Sequence, residues 1–396
     1  MLKNLQEYTN DLLNWIEKNG YAGWDPYDVQ GSEFYTNYLQ KGNSFFHKVG
    51  RVLIHQANFY TPFLIRKILG LKPQINAKAM ALFSLSFIKL YQLQKDEKYY
   101  KKYNECIDWL LAHNHSKKEG TLGWGYPFDW HSLIFIPKET PLCVPTVLVG
   151  HALLDEYEFL GNKDRIGAII KIKNFLTSLN ITKVDENRIC FSYSPIDDYM
   201  VINANLYTAS FLTRYAVLFN DKEVLELARK SRNFAISQQE EDGSWPYWSK
   251  LYKVKMKPYV DNYHTGIKLQ WLKICNNYDY NETEKKAIEI GTKYYYENLF
   301  TKDGLPKISN DNIYPIDIHG PAQAFVTFNY VGSKEYEYIL EKVYNFVNGN
   351  MRDEKGFYYY RINKFRHISK IPYIRWAEAW MLYGLVNLLE YKERKN

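Results

Sequence analysis

The chain has 396 residues, with 51 Lys and Arg against 44 Asp and Glu for a formal charge of +7. With 46% hydrophobic residues, 24% charged residues, 21 glycines and 14 prolines, it excludes disorder and collagen-like repetition and calls for a packed core. The positive excess is dispersed without a dense Lys/Arg block, which suits an anionic ligand and speaks against nucleic acid as a partner. The 36 tyrosines join a flat apolar wall to a hydrogen-bonding tip, a combination suited to sugar faces. Cys106, Cys143, Cys190 and Cys275 form no CxxC pair and read as buried thiols of a reducing compartment. The amino terminus has no apolar signal region, and no apolar run reaches the ~18 residues of a membrane span, so a cytoplasmic location is expected.

In chain order, residues 4–18 form an outer-type helix and 20–28 (GYAGWDPYD) a loop. Residues 31–73 stand outside the repeat; they place His47, Lys48, Arg51, His55, Arg66 and Lys67 among aromatic and aliphatic residues. An inserted helical lid or hairpin over one mouth of the fold is expected there, and its basic amphipathic character leaves peripheral contact with the inner membrane open. Loops then recur at 120–131 (GTLGWGYPFDWH), 186–198 (ENRICFSYSPIDD), 242–248 (DGSWPYW), 303–319 (ending YPIDIH) and 355–367 (KGFYYYRINKFRH). Most are followed by segments apolar on every side, at 145–160, 201–219, 261–274, 320–331 and 373–389, which predict buried inner helices. Segments leading into loops, such as 222–238 and 335–348, are apolar on one face and charged on the other, the pattern of an outer layer.

The segment 4–18 lacks an inner partner before it and 373–389 lacks an outer partner after it. Joined, they complete a sixth pair, as a ring closed by its own termini requires; an open solenoid needs polar caps instead. The alternation resembles the all-α (α/α)6 toroid shared by several glycan-processing enzymes, prenyltransferases and triterpene cyclases. It implies one domain over 1–396, with six inner and six outer helices and an extra helical insertion at 31–73.

In such a ring the loops entering the inner helices converge at one mouth. That gathers Trp24, Asp25, Tyr27 and Asp28 with Trp124, Tyr126, Asp129, Trp130 and His131, and with Tyr193, Asp197, Asp198, Asn203 and Asn205. From later loops come Trp245, Tyr247, Trp248, Tyr259, Asp261, Tyr263, His264, Tyr314, Asp317, His319 and Gln323, then Arg361, Arg366, His367, Arg375 and Trp376. Aromatic, carboxylate, imidazole and guanidinium groups in nearly every loop fit a polar polymeric ligand and disfavour a hydrocarbon pocket. The single QW-like stretch at 238–248 is weak, Asp197-Asp198 is not a DxDD cluster, and no cysteine shares a mouth loop with Asp and His. Cyclase chemistry, zinc and any other cofactor are therefore set aside.

Two stretches carry a closer likeness. FSYSP at 191–195 followed by VINA at 201–204, and WPY at 245–247 followed by DNYHT at 261–265 and LQWL at 269–272, resemble the catalytic toroid of the D-glucuronyl C5-epimerases. That family's aspartate adjoins the tyrosine, where Asp261 stands two residues before Tyr263; Gly266 after Thr265 and the missing β-rich amino-terminal module are further departures. The resemblance implies catalysis by Tyr193, Tyr247 and Tyr263 with His264, on an anionic oligo- or polysaccharide, free or lipid-linked, in polysaccharide biosynthesis. Expected substrate contacts are Trp24, Trp124, Tyr126, Asp129, Asn203, Asn205, Trp245, Asp261, His319, Gln323, Arg366 and Arg375.

The chemistry can also be built without the likeness. Removing the C5 proton of a uronate makes an enediolate, so the site needs a base on one face, an acid on the other and donors on the carboxylate. Bringing a tyrosine from a pKa of ~10 to neutrality takes ~4 kcal/mol of phenolate stabilisation. His264, His319, His367, Arg366 and Arg375 are the cations expected to supply it. A lyase would follow the same first step and then expel the C4 oxygen. Two alternatives are a glycoside hydrolase using two of Asp129, Asp198, Asp261 and Asp317, and a non-catalytic glycan-binding protein. Asp197, Asp198, Asp261 and Asp317 also suit helix N-caps, and Trp24, Trp124 and Trp245 serve as readily as core plugs.

Overall fold

The computed structural model describes residues 2–252 and 259–395. Its helices are α1 (Leu5–Asn19), α2 (Phe45–Tyr60), α3 (Pro62–Ile68), α4 (Ala77–Gln94), α5 (Glu97–Ala112), α6 (Cys143–Leu160) and α7 (Ile166–Thr177). They continue with α8 (Ile202–Phe219), α9 (Lys222–Ser237), α10 (Asn262–Tyr278), α11 (Glu282–Asn298), α12 (His319–Val331), α13 (Glu337–Asn350) and α14 (Ala379–Glu393). A π-helical turn, Ile374–Glu378, leads into α14.

Helices without a polar face end up enclosed. Every residue from Ala77 to Leu90 in α4 and from Ile202 to Ala216 in α8 is buried, whereas α9 buries only its inward stripe, Val224, Ala228, Ser231, Arg232, Phe234 and Ala235. Helices α4, α6, α8, α10, α12 and α14 contact one another in that order, and α14 returns to α4. Outside them α5, α7, α9, α11 and α13 pack on α4, α6, α8, α10 and α12, and α1 packs on α14. The chain is therefore an all-α (α/α)6 toroid closed by its own ends, with α2 and α3 as an additional helical insertion. The pair α4 and α5 occupies the stretch between the insertion and the second loop.

Repeated devices lock inner to outer layer. Trp124 and Trp245 are fully buried, and their indole N–H groups donate to the carbonyls of Leu110 on α5 (2.8 Å) and Ala235 on α9 (2.9 Å). Both are core plugs, not sugar platforms. At Gly266 a Cβ would lie 2.5 Å from the Thr327 hydroxyl and 3.0 Å from Gln323 Cγ. Close approach of α10 to α12 is thus the reason glycine follows Thr265.

Short antiparallel ladders stiffen the loop end, where the sequence suggested only loops: β1 (Ala22–Gly23) with β2 (Gln74–Ile75), β3 (Trp130–His131) with β4 (Phe135–Ile136), and β5 (Ile181–Asp185) with β6 (Arg188–Phe191). A three-stranded sheet joins β7 (Ile316–Asp317), β8 (Arg361–Ile362) and β9 (Ile368–Ser369), in a register that sets Asp317 opposite Arg361. The insertion is tied to the same end: Arg66 on α3 forms a buried ion pair with Asp28 (2.6 Å) and donates to the Asp25 carbonyl and the Tyr373 hydroxyl. All four cysteines are buried. No helix among the described residues is long and apolar enough to cross a membrane.

Candidate active site

Helix α10 begins at a carboxylate with two tasks. Asp261 is its N-cap, one oxygen accepting the His264 backbone N–H (2.7 Å), while the other meets His264 Nδ1 at 2.6 Å. The second contact places the ring proton on Nδ1 and leaves Nε2 as a lone-pair acceptor. Burial lowers the imidazole pKa and Asp261 opposes this in part. The ring is thus a neutral, oriented base at physiological pH.

His264 borders a cavity of about 340 Å³ at the loop end of the toroid. Tyr193, Tyr247 and Tyr263 all line it, together with Tyr27, Tyr126 and Tyr259. Tyr263 and Tyr247 lie against the imidazole, with ring centroids 3.9 and 4.4 Å away. Tyr193 arrives on another loop and packs on Trp130 at 5.5 Å. The sequence reading brings these phenols together correctly but misjudges their ionisation. Burial pushes all three pKa values up, and neighbouring phenols and, for Tyr247 and Tyr263, Asp261 add to the rise. They are neutral hydroxyl donors.

The cations expected to make phenolates are absent from that task. Arg366 and His367 sit exposed in the turn between β8 and β9, where Arg366 takes a left-handed φ of 62°; His367 packs on Phe59 and Tyr60 of α2 instead. Arg375 lines the cavity, but its charge is matched by buried Asp25 (Nη2 to Oδ1, 2.7 Å). His319 is caged by Tyr263, Trp376 and Trp380 at 4.5, 4.2 and 4.9 Å. Neither of its nitrogens has a hydrogen-bond partner among the described residues, and burial pushes its pKa well down.

Two lysines of the lining escaped the sequence reading, Lys78 and the half-buried Lys307. Lys78, near the start of α4, lines the cavity at 4% exposure, with Nζ 5.3 Å from the Trp380 ring and no ion pair among the described residues. Burial, then Arg375, pushes its pKa well below the usual lysine value. The available signal was a lysine in the first turn of a largely apolar helix, since a charge there has to face a partner or a cavity, as Lys89 of the same helix faces Glu390. Tyr207 of α8 was also missed. Lys268, one turn after His264, donates to the Trp245 and Pro246 carbonyls (2.9 and 3.0 Å), holding the loop that presents Tyr247; burial brings its pKa down to about 7.

Of the expected substrate contacts, Tyr126, Asn203, Asp261, His319 and Arg375 line the cavity. The others do not. Asn205 accepts the Phe191 N–H and donates to the Ser231 carbonyl; Gln323, a turn below His319, donates to Gln270 and Thr327. Asp129 accepts the Lys138 N–H, and Trp24 packs against Arg66 outside the lining. In each case a neighbouring backbone or side-chain group claims the residue. Asp197 accepts the N–H groups of Tyr193 and Tyr199, so it shapes the Tyr193 loop and is no cap of α8, and Asp198 accepts the Tyr252 hydroxyl. Asp317 accepts the His319 N–H at the head of α12, the Trp376 indole N–H (2.8 Å) and Arg361.

Fold and cleft together define an (α/α)6 toroid whose loop end encloses an aromatic, polar cavity. No protein-family model and no curated protein matches the chain. Among solved structures it is similar to the cellobiose 2-epimerase of Bacillus thermoamylovorans B4167, at TM-score 0.62 and 11% identity over 81% of this chain and 88% of the other. It is also similar to a D-mannose isomerase (TM-score 0.57, 11% identity, 80% and 87% covered). A family 76 glycoside hydrolase from a bovine Bacteroides thetaiotaomicron strain gives TM-score 0.65 and 11% identity over 98% and 78%. At these identities the likeness establishes the fold.

Proposed function

We propose that the protein is a carbohydrate-active enzyme that moves a proton on a sugar, an epimerase or the related lyase. The observation carrying this reading is the Asp261–His264 pair, a neutral imidazole held in one tautomer beside neutral tyrosine hydroxyls. His264 Nε2 takes the proton from a carbon next to a carboxylate or carbonyl. Hydroxyl donors hold the enediolate, and Tyr193, which comes from a different loop and does not pack on the imidazole, returns a proton to the other face. The imidazolium proton then restores the tyrosine through solvent, so the net change is inversion at carbon. Asp261 stabilises the transient imidazolium.

The likeness to proteins named cellobiose 2-epimerase and D-mannose isomerase supports a sugar as substrate. Lys78 and Lys307 support an acidic one: Arg361 and Arg375 are matched by Asp317 and Asp25, while neither lysine has an ion pair among the described residues. A uronate C5-epimerase acting in polysaccharide biosynthesis is the form of the activity that fits this charge pattern. A hydrolase needs two carboxyl groups facing the glycosidic bond, ~5–5.5 Å or ~6.5–9.5 Å apart. Asp261 and Asp317, the two carboxylates among the described lining residues, are both occupied by protein donors.

Incubation with uronate-containing glycans in D2O, read by NMR, tests the reading. Solvent deuterium should enter C5 with the native protein and not with His264→Asn. Release of reducing ends without exchange would replace this reading by hydrolysis, and inertness across uronates and neutral disaccharides would refute it.

A further inference from the structure

Helix α2 is turned the wrong way round for a soluble surface. None of its 16 residues is buried, and Phe45, Phe46 and Leu53 stand 74%, 82% and 63% exposed. At about 100° per residue, Phe45, Phe46, Val49, Val52, Leu53 and Tyr60 share an arc of about 120°, and each is exposed. On α3, Phe63, Leu64 and Ile68 extend the same apolar surface. Arg51 and Asn58 point the other way, Arg51 donating to the carbonyls of Leu39 and Gly42 and Asn58 to that of Pro26, while Gln56 is the one polar side chain of the helix within the arc. Burial is thus inverted relative to α9, whose apolar stripe faces inward.

Charge identifies what covers this face. No Asp or Glu occurs between Glu33 and Asp96, while Lys41, Lys48, Lys67 and Lys72 in that interval are exposed. A second copy docking face to face would set these lysines against one another with no acid from the interval to pair them. An anionic lipid surface meets both demands, since aromatic and aliphatic side chains enter the headgroup boundary while lysines reach phosphates. No helix among the described residues can span a bilayer, so the contact is interfacial.

We propose that the outward face of α2 and α3 docks the protein on an anionic membrane surface. The docked face adjoins the cavity loops. Arg66 joins α3 to Asp28 and to the carbonyl of Asp25, whose carboxylate holds Arg375 in the cavity wall, and Tyr60 packs on His367 of the last loop. The loops around the cavity therefore lie next to the docked helices. This inference stands apart from the chemistry proposed for the cavity.

Flotation of the full chain with phosphatidylcholine vesicles, with and without 30% phosphatidylglycerol, tests it. Binding should be at least about tenfold stronger with the anionic lipid and weaken at high salt. Phe45→Ser/Phe46→Ser and, separately, Lys48→Glu/Lys67→Glu should each reduce binding about tenfold or more, with melting temperature unchanged. Three outcomes overturn the proposal: the native chain remaining in the soluble fraction, flotation of both double variants equal to that of the native chain, or a concentration-dependent dimer abolished by the Phe substitutions without vesicle binding.

Discussion

Replacing Asp261 by Asn separates the two tasks of one carboxylate. As an N-cap, Asn is about as good as Asp, so the start of α10 should lose less than about 1 kcal/mol. The contact to His264 Nδ1 at 2.6 Å changes in kind, because a charge-assisted hydrogen bond becomes a neutral one and the amide can present its NH2 to the ring instead. Charged hydrogen bonds contribute about 1.5–3 kcal/mol. If that energy is expressed as imidazolium stabilisation in the transition state, exchange slows roughly tenfold to 150-fold. Two assays check this. Deuterium incorporation measures the rate, and nitrogen NMR of the ring reports the tautomer and titration of His264 without any substrate. The native ring should carry its proton on Nδ1, and its pKa should fall in the variant, because Asp261 raises it. An exchange rate within twofold of native, with an unchanged His264 titration, would refute the argument.

Three further outcomes follow from buried charge and burial. Arg375→Met leaves Asp25 buried without its guanidinium, at side-chain exposures of 2% and 7% for the pair, and should cost about 3–5 kcal/mol in urea unfolding; a loss below about 1 kcal/mol would contradict the pairing. Lys78→Met strands no partner, so stability should hold while affinity for an acidic sugar falls. Because burial lowers the Lys78 pKa and an arriving carboxylate raises it, binding to the native protein should take up protons, seen by calorimetry in buffers of different ionisation enthalpy, and the variant should not. At high pH the sign is set by Tyr193, Tyr247 and Tyr263, whose folded pKa values lie above the unfolded value. Their contribution is complete below pH ~10 and is lost above it, as the unfolded chain ionises first. Ring NMR signals of these three phenols should therefore show ionisation only together with loss of helical circular dichroism; their tyrosinate forming in the intact fold would contradict their burial.

The candidate site was readable in the sequence only as far as local pattern reaches. Loops preceding apolar helices had to share a rim, and Tyr193, Tyr247, Tyr263 and His264 do share one cavity. Trp124 and Tyr126, two residues apart, went opposite ways: the first donates to α5 and fills the core, the second faces the cavity. Nothing local to TLGWGYPF separates these fates, because the difference lies in which neighbouring helix offers a carbonyl. Lys78 escaped for the same reason, since no motif marks it and only the ring turns its Nζ towards the cavity.

Periodicity by itself determined the architecture of this chain: helices apolar on every side have to be enclosed, one-faced helices have to enclose them, and an unpaired helix at each end has to meet its counterpart. Those are consequences of burying apolar surface, and each is written into a short window of residues. Tertiary structure alone decided the state of the chemistry. Whether a phenol is a base or a donor, and whether an arginine is available or already matched by Asp25 or Asp317, depends on dielectric surroundings and on charges brought from residues 350 and 44 positions away, which no short window of sequence contains.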